Sequence, residues 1–272
     1  MTGAAWPVRP WPEIEGAIFD LDGTVYLGST PIPGAFEALE SLRADGVKIG
    51  FVTNNATKSR AQFASKLAGM GFETDEALMV NSGFGTGEYL RGRYPPGTPV
   101  FVVGSAALAG HVREAGFEVT DRAPEVVVVG IDREFTYAKL KTGVRAILGG
   151  ADFVATNTDR LLPVGGAFDP GAGTIVAAFT TATAGVATPV VVGKPEPLLI
   201  EIALDELGTP KERTIMVGDS QETDIRAGQA AGLFSVLVST GVPLRRDSDV
   251  APDRIIDALS EIPAARRRPD PA

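Results

Sequence analysis

The sequence predicts an α/β protein in which a doubly wound parallel sheet is interrupted by an inserted second α/β unit. Three observations point there. Short apolar runs rich in β-branched residues alternate with helix-like stretches along most of the 272 residues, the pattern of strands joined by crossover helices. The runs are apolar on both faces, as strands buried in a parallel sheet must be. Ionisable residues at the ends of these runs gather in two places, residues 20–55 and 194–224, with little such punctuation between them.

The expected strands are 16–20 (GAIFD), 47–55 (VKIGFVTNN), 99–104 (PVFVVG), 125–131 (EVVVVGI), 152–157 (DFVATN), 189–194 (PVVVGK), 214–219 (TIMVGD) and 234–239 (FSVLVS). Helices are expected at 35–44, 58–70, 106–115, 137–148, 174–182, 197–207, 223–231 and 252–260. Gly46, Gly71, Gly116, Gly208 and Gly232 stand just past several of these stretches, where helix C-caps belong. No tandem repeat or long low-complexity linker is visible. The expected division is a core of residues 1–84 and 189–272 with an insert at 85–188.

Composition narrows the function classes. The formal charge is −9, so nucleic acid and anionic membrane surfaces find no general attraction, and any phosphate must be held locally by a metal or aimed donors. There is no Cys, which excludes disulfides, thiol chemistry and Cys-zinc sites and suits a cytoplasmic location. The start, MTGAAWPVRPWPEIEG, lacks the pattern of a signal peptide. No apolar run approaches the roughly 20 residues that span a bilayer. The basic, Pro-rich end AARRRPDPA reads as a frayed terminus.

Four motifs each close an apolar strand. Asp20-Leu21-Asp22-Gly23-Thr24 follows GAIF, at the carboxyl end of a strand, where open α/β sheets bind ligands. A carboxylate there forms an acyl-phosphate if a cation neutralises the charge around it; the plainer reading is a βα loop with a capping Asp and a turn Gly. Thr53-Asn54-Asn55 brings a hydroxyl, backbone N–H groups and an amide to a helix start, a ready phosphate site; alone, it is ordinary N-capping. Lys194 ends PVVVG, where an ammonium can hold a phosphoryl oxygen and restrain a carboxylate; alone, it is a solvated lysine. Gly218-Asp219-Ser220-Gln221-Glu222-Thr223-Asp224 follows TIMV, with two carboxylates straddling a turn into a helix. Magnesium takes one or two carboxylates and keeps several waters, whereas the plainer reading is an acidic first helical turn. Four such strand ends on one sheet edge are a far rarer coincidence than any one of them.

The order Asp-x-Asp-Gly-Thr, Thr-Asn-Asn, Lys, Gly-Asp-x-x-x-Thr-Asp resembles the four motifs of the haloacid dehalogenase superfamily of phosphotransferases. The Thr-Asn-Asn form and the large insert resemble its NagD-like subgroup, which contains 4-nitrophenylphosphatases, phosphoglycolate phosphatases and pyridoxal phosphatases. Residues 132–140 (DREFTYAKL) and 155–159 (ATNTD) are similar to stretches of that subgroup's cap. The resemblance runs from about Gly16 to Val242, and no motif position departs from it. It implies a Rossmann-like core with an α/β cap of the C2 type. It also implies magnesium-dependent hydrolysis of a small phosphorylated metabolite. Asp20 would be the nucleophile and Asp22 the acid and base. Magnesium would be held by Asp20, the Asp22 backbone carbonyl and Asp219, with Asp224 in support. Thr53, Asn54, Asn55 and Lys194 would bind the phosphoryl group.

The insert is expected to cover the site and select substrate, and the resemblance implies that the Gly- and Pro-rich loop 160–173 lies over the leaving group; the plainer reading is a surface loop of no selectivity. Asn157, Asp159 and Arg160 are its candidates for substrate contact. Lone His111 reads as structural or solvated, which disfavours a phosphohistidine route. Strand edges in the cap invite, without demanding, a homodimer through it. Rival readings are a phosphotransferase or phosphomutase of the same superfamily and a non-catalytic phosphate- or nucleotide-binding module. Four carboxylates beside a phosphate argue against the module, and Asp22 has no use in a dehalogenase.

Overall fold

The structure, a computed structural model, describes residues 8–164, 167–245 and 247–262. The basic tail and the Gly165-Gly166 part of loop 160–173 lie outside the described residues. In chain order the elements are β1 (Gly16–Asp20), β2 (Tyr26–Leu27), β3 (Thr30–Pro31), α1 (Ala35–Ala44), β4 (Lys48–Thr53), α2 (Arg60–Gly69), β5 (Met79–Asn81) and α3 (Ser82–Arg91). Then come β6 (Pro99–Val103), α4 (Ala106–Glu114), β7 (Glu118–Val119), β8 (Val126–Val129), α5 (Tyr137–Leu148), β9 (Asp152–Ala155), β10 (Leu161–Val164), β11 (Ala167–Pro170), α6 (Ala172–Ala182) and β12 (Val190–Val191). The last are α7 (Leu198–Leu207), β13 (Thr214–Gly218), a π-helical turn at Gln221–Ile225, α8 (Arg226–Ala230), β14 (Phe234–Val238) and β15 (Arg254–Ile256). No described helix is long and apolar enough to cross a membrane.

The described residues divide into two compact units, one drawn from Met1–Thr53, Phe63–Val80 and Lys194–Ala272, the other from Asn54–Gln62 and Asn81–Gly193. The first is built on a six-stranded sheet in the order β15-β14-β13-β1-β4-β5. The pairs from β15 through β4 are all parallel. Every residue of β1, β13 and β14 is buried, which is why these runs carry apolar residues on both faces. Phe19, Phe51, Phe63 and Phe72 are fully or almost fully enclosed in this core, each worth roughly 1.5–3 kcal/mol of burial. The chain leaves β1 toward β4 on one side and returns to β13 on the other, so the winding reverses at β1. A topological switch point of this kind opens a crevice at the carboxyl edge of the sheet. Register sets what lines it. Asp20 pairs with Val52, the residue before Thr53, and Phe19 pairs with Val217, two residues before Asp219.

The second unit has its own parallel sheet, ordered β12-β9-β8-β6-β7. Its core holds Val127, Val129, Ile147, Phe153 and Phe179. α3 is a helix the sequence conceals, since three glycines in SGFGTGEYLR depress helix propensity. Packing explains them. A Cβ on Gly83 would lie 2.8 Å from the His111 ring, and one on Gly87 would lie 3.2 Å from the His111 carbonyl oxygen. The glycines let α3 approach α4. Asn81 caps α3, its side chain accepting from the Phe84 N–H at 2.9 Å.

Two expectations are corrected. Residues 252–260 do not form a helix: Arg254–Ile256 is an edge strand in parallel register with β14, because β-branched Ile255 and Ile256 follow Pro252 and the open edge of β14 supplies hydrogen bonds. Loop 160–173 is mostly an antiparallel hairpin of β10 and β11, with Leu161 opposite Pro170 and Val164 opposite Ala167.

Candidate active site

Asp20 is the last residue of β1 and is 7% exposed. Lys194, 2% exposed, donates to the Asp20 carboxylate at 2.5 Å and to the Asp224 carboxylate at 2.5 Å. Asp219 follows β13, and its carboxylate accepts from the Val242 N–H at 2.8 Å. Asp224 lies in the π-helical turn and accepts from the Ser220 N–H at 3.0 Å. Carboxylate oxygens of Asp20, Asp219 and Asp224 all fall within 4.8 Å of one another. Thr53, also buried, ends β4 one residue past the partner of Asp20.

Glycines make this crowding possible. A Cβ on Gly241 would lie 2.0 Å from an Asp219 oxygen, and one on Gly23 would lie 2.5 Å from the same atom. A Cβ on Gly218 would lie 2.3 Å from the Asp224 Cβ. Gly23 also holds φ +96°, a conformation side chains rarely adopt. Thr240 donates to the Gly23 carbonyl at 2.7 Å, tying the end of β14 to the loop after Asp20.

The electrostatics follow from burial. Three buried carboxylates face one ammonium, leaving two negative charges uncompensated in a site shielded from water. Burial first, then repulsion from Asp224, pushes Asp219 up to about 7. Asp20 is also raised well above the usual carboxylate range: burial and the neighbouring acids Asp224 and Asp219 outweigh Lys194. Burial alone would lower Lys194, but Asp20 and Asp224 reverse it and keep the ammonium protonated. Such a donor set fits a hard divalent cation, which takes oxygen ligands and would cancel the residual charge.

Asp22 stands apart from this cluster. Its residue is exposed, two positions past the strand, and its carboxylate faces the Gly28 N–H at 3.5 Å. Beside it, Tyr26 is buried and held neutral by burial and by the charges of Asp22 and Asp20, with the Lys66 ammonium 3.5 Å from its ring centre.

The remaining candidates belong to the second unit. Asn54 donates through Nδ2 to Asp159 at 3.1 Å. Its carbonyl oxygen accepts from Asn157 Nδ2 at 2.8 Å and Ser82 Oγ at 2.5 Å. Asn55 accepts from the N–H and the hydroxyl of Thr57 at 2.9 and 2.6 Å. Arg160 is exposed where the chain enters β10. Expected as structural or solvated, His111 is buried, with Nε2 3.4 Å from the Asn81 amide nitrogen.

Sequence reading missed Gly241, Val242 and Thr240, which seat Asp219 and the loop of Gly23. The signal was present: Ser239-Thr240-Gly241 ends an apolar strand, as the recognised motifs do.

A profile of haloacid dehalogenase-like hydrolases matches residues 17–118, and a second, HAD-hydrolase-like profile matches residues 191–262. The 5'-nucleotidase YutF of Bacillus subtilis is 37% identical over 250 residues, 91% of this chain and 96% of that protein. This chain belongs to the haloacid dehalogenase-like hydrolases. The structure of a 4-nitrophenylphosphatase from Thermotoga maritima superposes with a TM-score of 0.87 at 33% identity, covering 93% of this chain and 97% of that one. A glycerol phosphate phosphatase from Mycobacterium tuberculosis, crystallised with magnesium, gives a TM-score of 0.83 at 36% identity, covering 91% and 76%. As a family member the chain has the expected mixed α/β fold with parallel sheets in both units.

Proposed function

We propose that this protein is a magnesium-dependent phosphatase that hydrolyses small phosphate monoesters through an aspartyl-phosphate on Asp20. One observation carries the reading: Asp20 stands at the switch point of the sheet with Asp219 and Asp224 within 4.8 Å and the Lys194 ammonium at 2.5 Å. The relatives named above, a 5'-nucleotidase, a 4-nitrophenylphosphatase and a glycerol phosphate phosphatase, support the same class of chemistry.

In the first step an Asp20 oxygen attacks phosphorus while the bond to the ester oxygen breaks. Asp22 gives its proton to the departing oxygen, so an alcohol leaves. In the second step water attacks phosphorus and Asp22 takes back a proton. The bond to Asp20 breaks, inorganic phosphate forms and the Asp20 carboxylate is restored. Asp22 suits proton traffic because its carboxyl is exposed and lies outside the buried acidic cluster. Lys194 and the Thr53-Asn54-Asn55 donors bind the phosphoryl oxygens and stabilise charge that spreads over them. Asp20, the Asp22 backbone carbonyl, Asp219 and Asp224 would hold the magnesium ion. Bound there, magnesium would keep Asp20 ionised and neutralise the phosphoryl group. Substrate selection falls to the insert, with exposed Arg160, where the chain enters β10, as a candidate.

The test is phosphate release from a panel of monoesters with magnesium and no added acceptor. Wild type should release phosphate and Asp20→Asn should not. Substantial magnesium-dependent release by that variant would overturn the nucleophile assignment, and transfer only to an added alcohol would favour a phosphotransferase.

A further inference from the structure

The carboxyl edge of the second unit's sheet is where an open α/β sheet would receive a ligand. Here the chain's own segment after Thr53 lies against it. Ser105, just past β6, donates to the Ala56 carbonyl at 2.9 Å. Asn157, two residues past β9, is 6% exposed and donates to the Asn54 carbonyl at 2.8 Å. Ser82, fully buried, donates to the same oxygen at 2.5 Å. Gly193, two residues past β12, leaves room for the Asn54 side chain, since a Cβ there would lie 2.5 Å from Asn54 Oδ1.

These contacts determine the orientation of two groups. The only cis peptide among the described residues is Lys194-Pro195, so the Asn54-Asn55 peptide is trans. In a trans peptide the N–H points opposite to the carbonyl. With the Asn54 carbonyl committed to Asn157 and Ser82, the Asn55 N–H is aimed the other way. The side chain is fixed as well. An ionised carboxylate only accepts, so Asp159 at 3.1 Å selects the NH2 end of the Asn54 amide. Asn157 in turn accepts from the Asp159 N–H at 3.1 Å, which holds Asp159 in place.

We infer that Asn157 and Asp159 are positioning residues: they set the donors of Asn54 and Asn55 that bind the phosphoryl group, rather than reading the leaving group. This rests on the phosphatase reading and deepens it. The insert then carries part of the phosphoryl-binding motif, and a change at residues 157–159 acts on every substrate alike.

The experiment measures inorganic phosphate binding by calorimetry in the presence of magnesium, alongside steady-state kinetics with 4-nitrophenyl phosphate, glycerol phosphate and a nucleoside monophosphate. Asp159→Ala should weaken phosphate binding roughly tenfold or more, since small misplacements of aimed donors are costly. The value of kcat/KM should fall by a similar factor for all three esters. Asp159→Asn, which keeps an acceptor oxygen, should recover most of the loss. Asp159 is only partly buried, and matching melting curves check that the variant folds. Unchanged phosphate affinity in Asp159→Ala would overturn the inference, as would a loss that differs strongly among the three esters. A wild-type protein that neither binds phosphate nor hydrolyses any ester would remove the phosphatase reading, and this inference with it.

Discussion

Lys194→Met tests the electrostatic core of the site. The substitution removes an ammonium that lies 2.5 Å from Asp20 and 2.5 Å from Asp224, with all three side chains buried. At an effective dielectric of about 20, each pair is worth roughly 7 kcal/mol of gross attraction. The net loss is smaller, because a cheaper state exists: one carboxyl takes up a proton. From the ordinary carboxylate value of 3.8, forcing that proton on at pH 7 costs about 4 kcal/mol, at roughly 1.4 kcal/mol per pH unit. This agrees with the roughly 3–5 kcal/mol usual when one partner of a buried pair is deleted. The sign with pH follows. Between pH 4 and 7 the folded variant binds one more proton than the folded wild type, in which burial already raises Asp20 and Asp219, so its deficit shrinks as pH falls. Urea melts in chelator at pH 7, 6 and 5 should show a deficit near 4 kcal/mol at pH 7 that shrinks by roughly 1.4 kcal/mol per unit. A deficit under about 1 kcal/mol, or one constant across this range, would refute the charge argument. Magnesium-dependent turnover should fall about a hundredfold or more.

Asp22→Ala given 4-nitrophenyl phosphate, whose leaving group departs without a proton, should stall at the second step and retain a phosphoryl group on Asp20, seen as added mass in the intact protein; phosphate release at the wild-type rate would deny Asp22 the base role. Gly241→Ala places a methyl 2.0 Å from an Asp219 oxygen, so Asp219 must move. The magnesium concentration for half-maximal activity should rise about tenfold or more, and an unchanged requirement would remove Asp219 from the metal set. His111 is lowered chiefly by burial, with Arg60 adding to this and the Lys58 carbonyl and Glu114 opposing it. The unfolded chain therefore binds the proton more readily below about pH 6.5, and stability is present above that value and lost as pH falls. His111→Gln should flatten the fall in stability between pH 7 and pH 5; identical slopes in the two proteins would show that His111 does not titrate there.

Much of the fold was legible because a strand buried on both faces has to be apolar throughout. Thus β1, β13 and β14 stood out, and α1 and α5 appear with the limits expected for them. Elements whose residues answer to neighbours were not legible. The glycines of α3 make sense only against His111 and α4, and Ile255 and Ile256 become a strand only because β14 offers an open edge. At the site, Asp20, Asp219, Asp224 and Lys194 were readable as strand-end chemistry. Of what seats them, Gly23 stood inside a recognised motif, whereas Gly241 and the Val242 N–H are backbone features marked only by their place after an apolar strand.

The amino-acid sequence by itself determined which charged groups this protein can bring to a phosphate and in what order they leave the strands. Strand alternation and residue type are local properties, and local physics settles them. Only the tertiary structure decided that three carboxyls and one ammonium share a buried space with more acids than the ammonium can balance, and that Asn54 is tied to Asp159 and Asn157. The contacts of Asp20 with Lys194 and of Asn54 with Asp159 and Asn157 join residues more than a hundred positions apart. Strand register and the close approaches that glycine permits determine them.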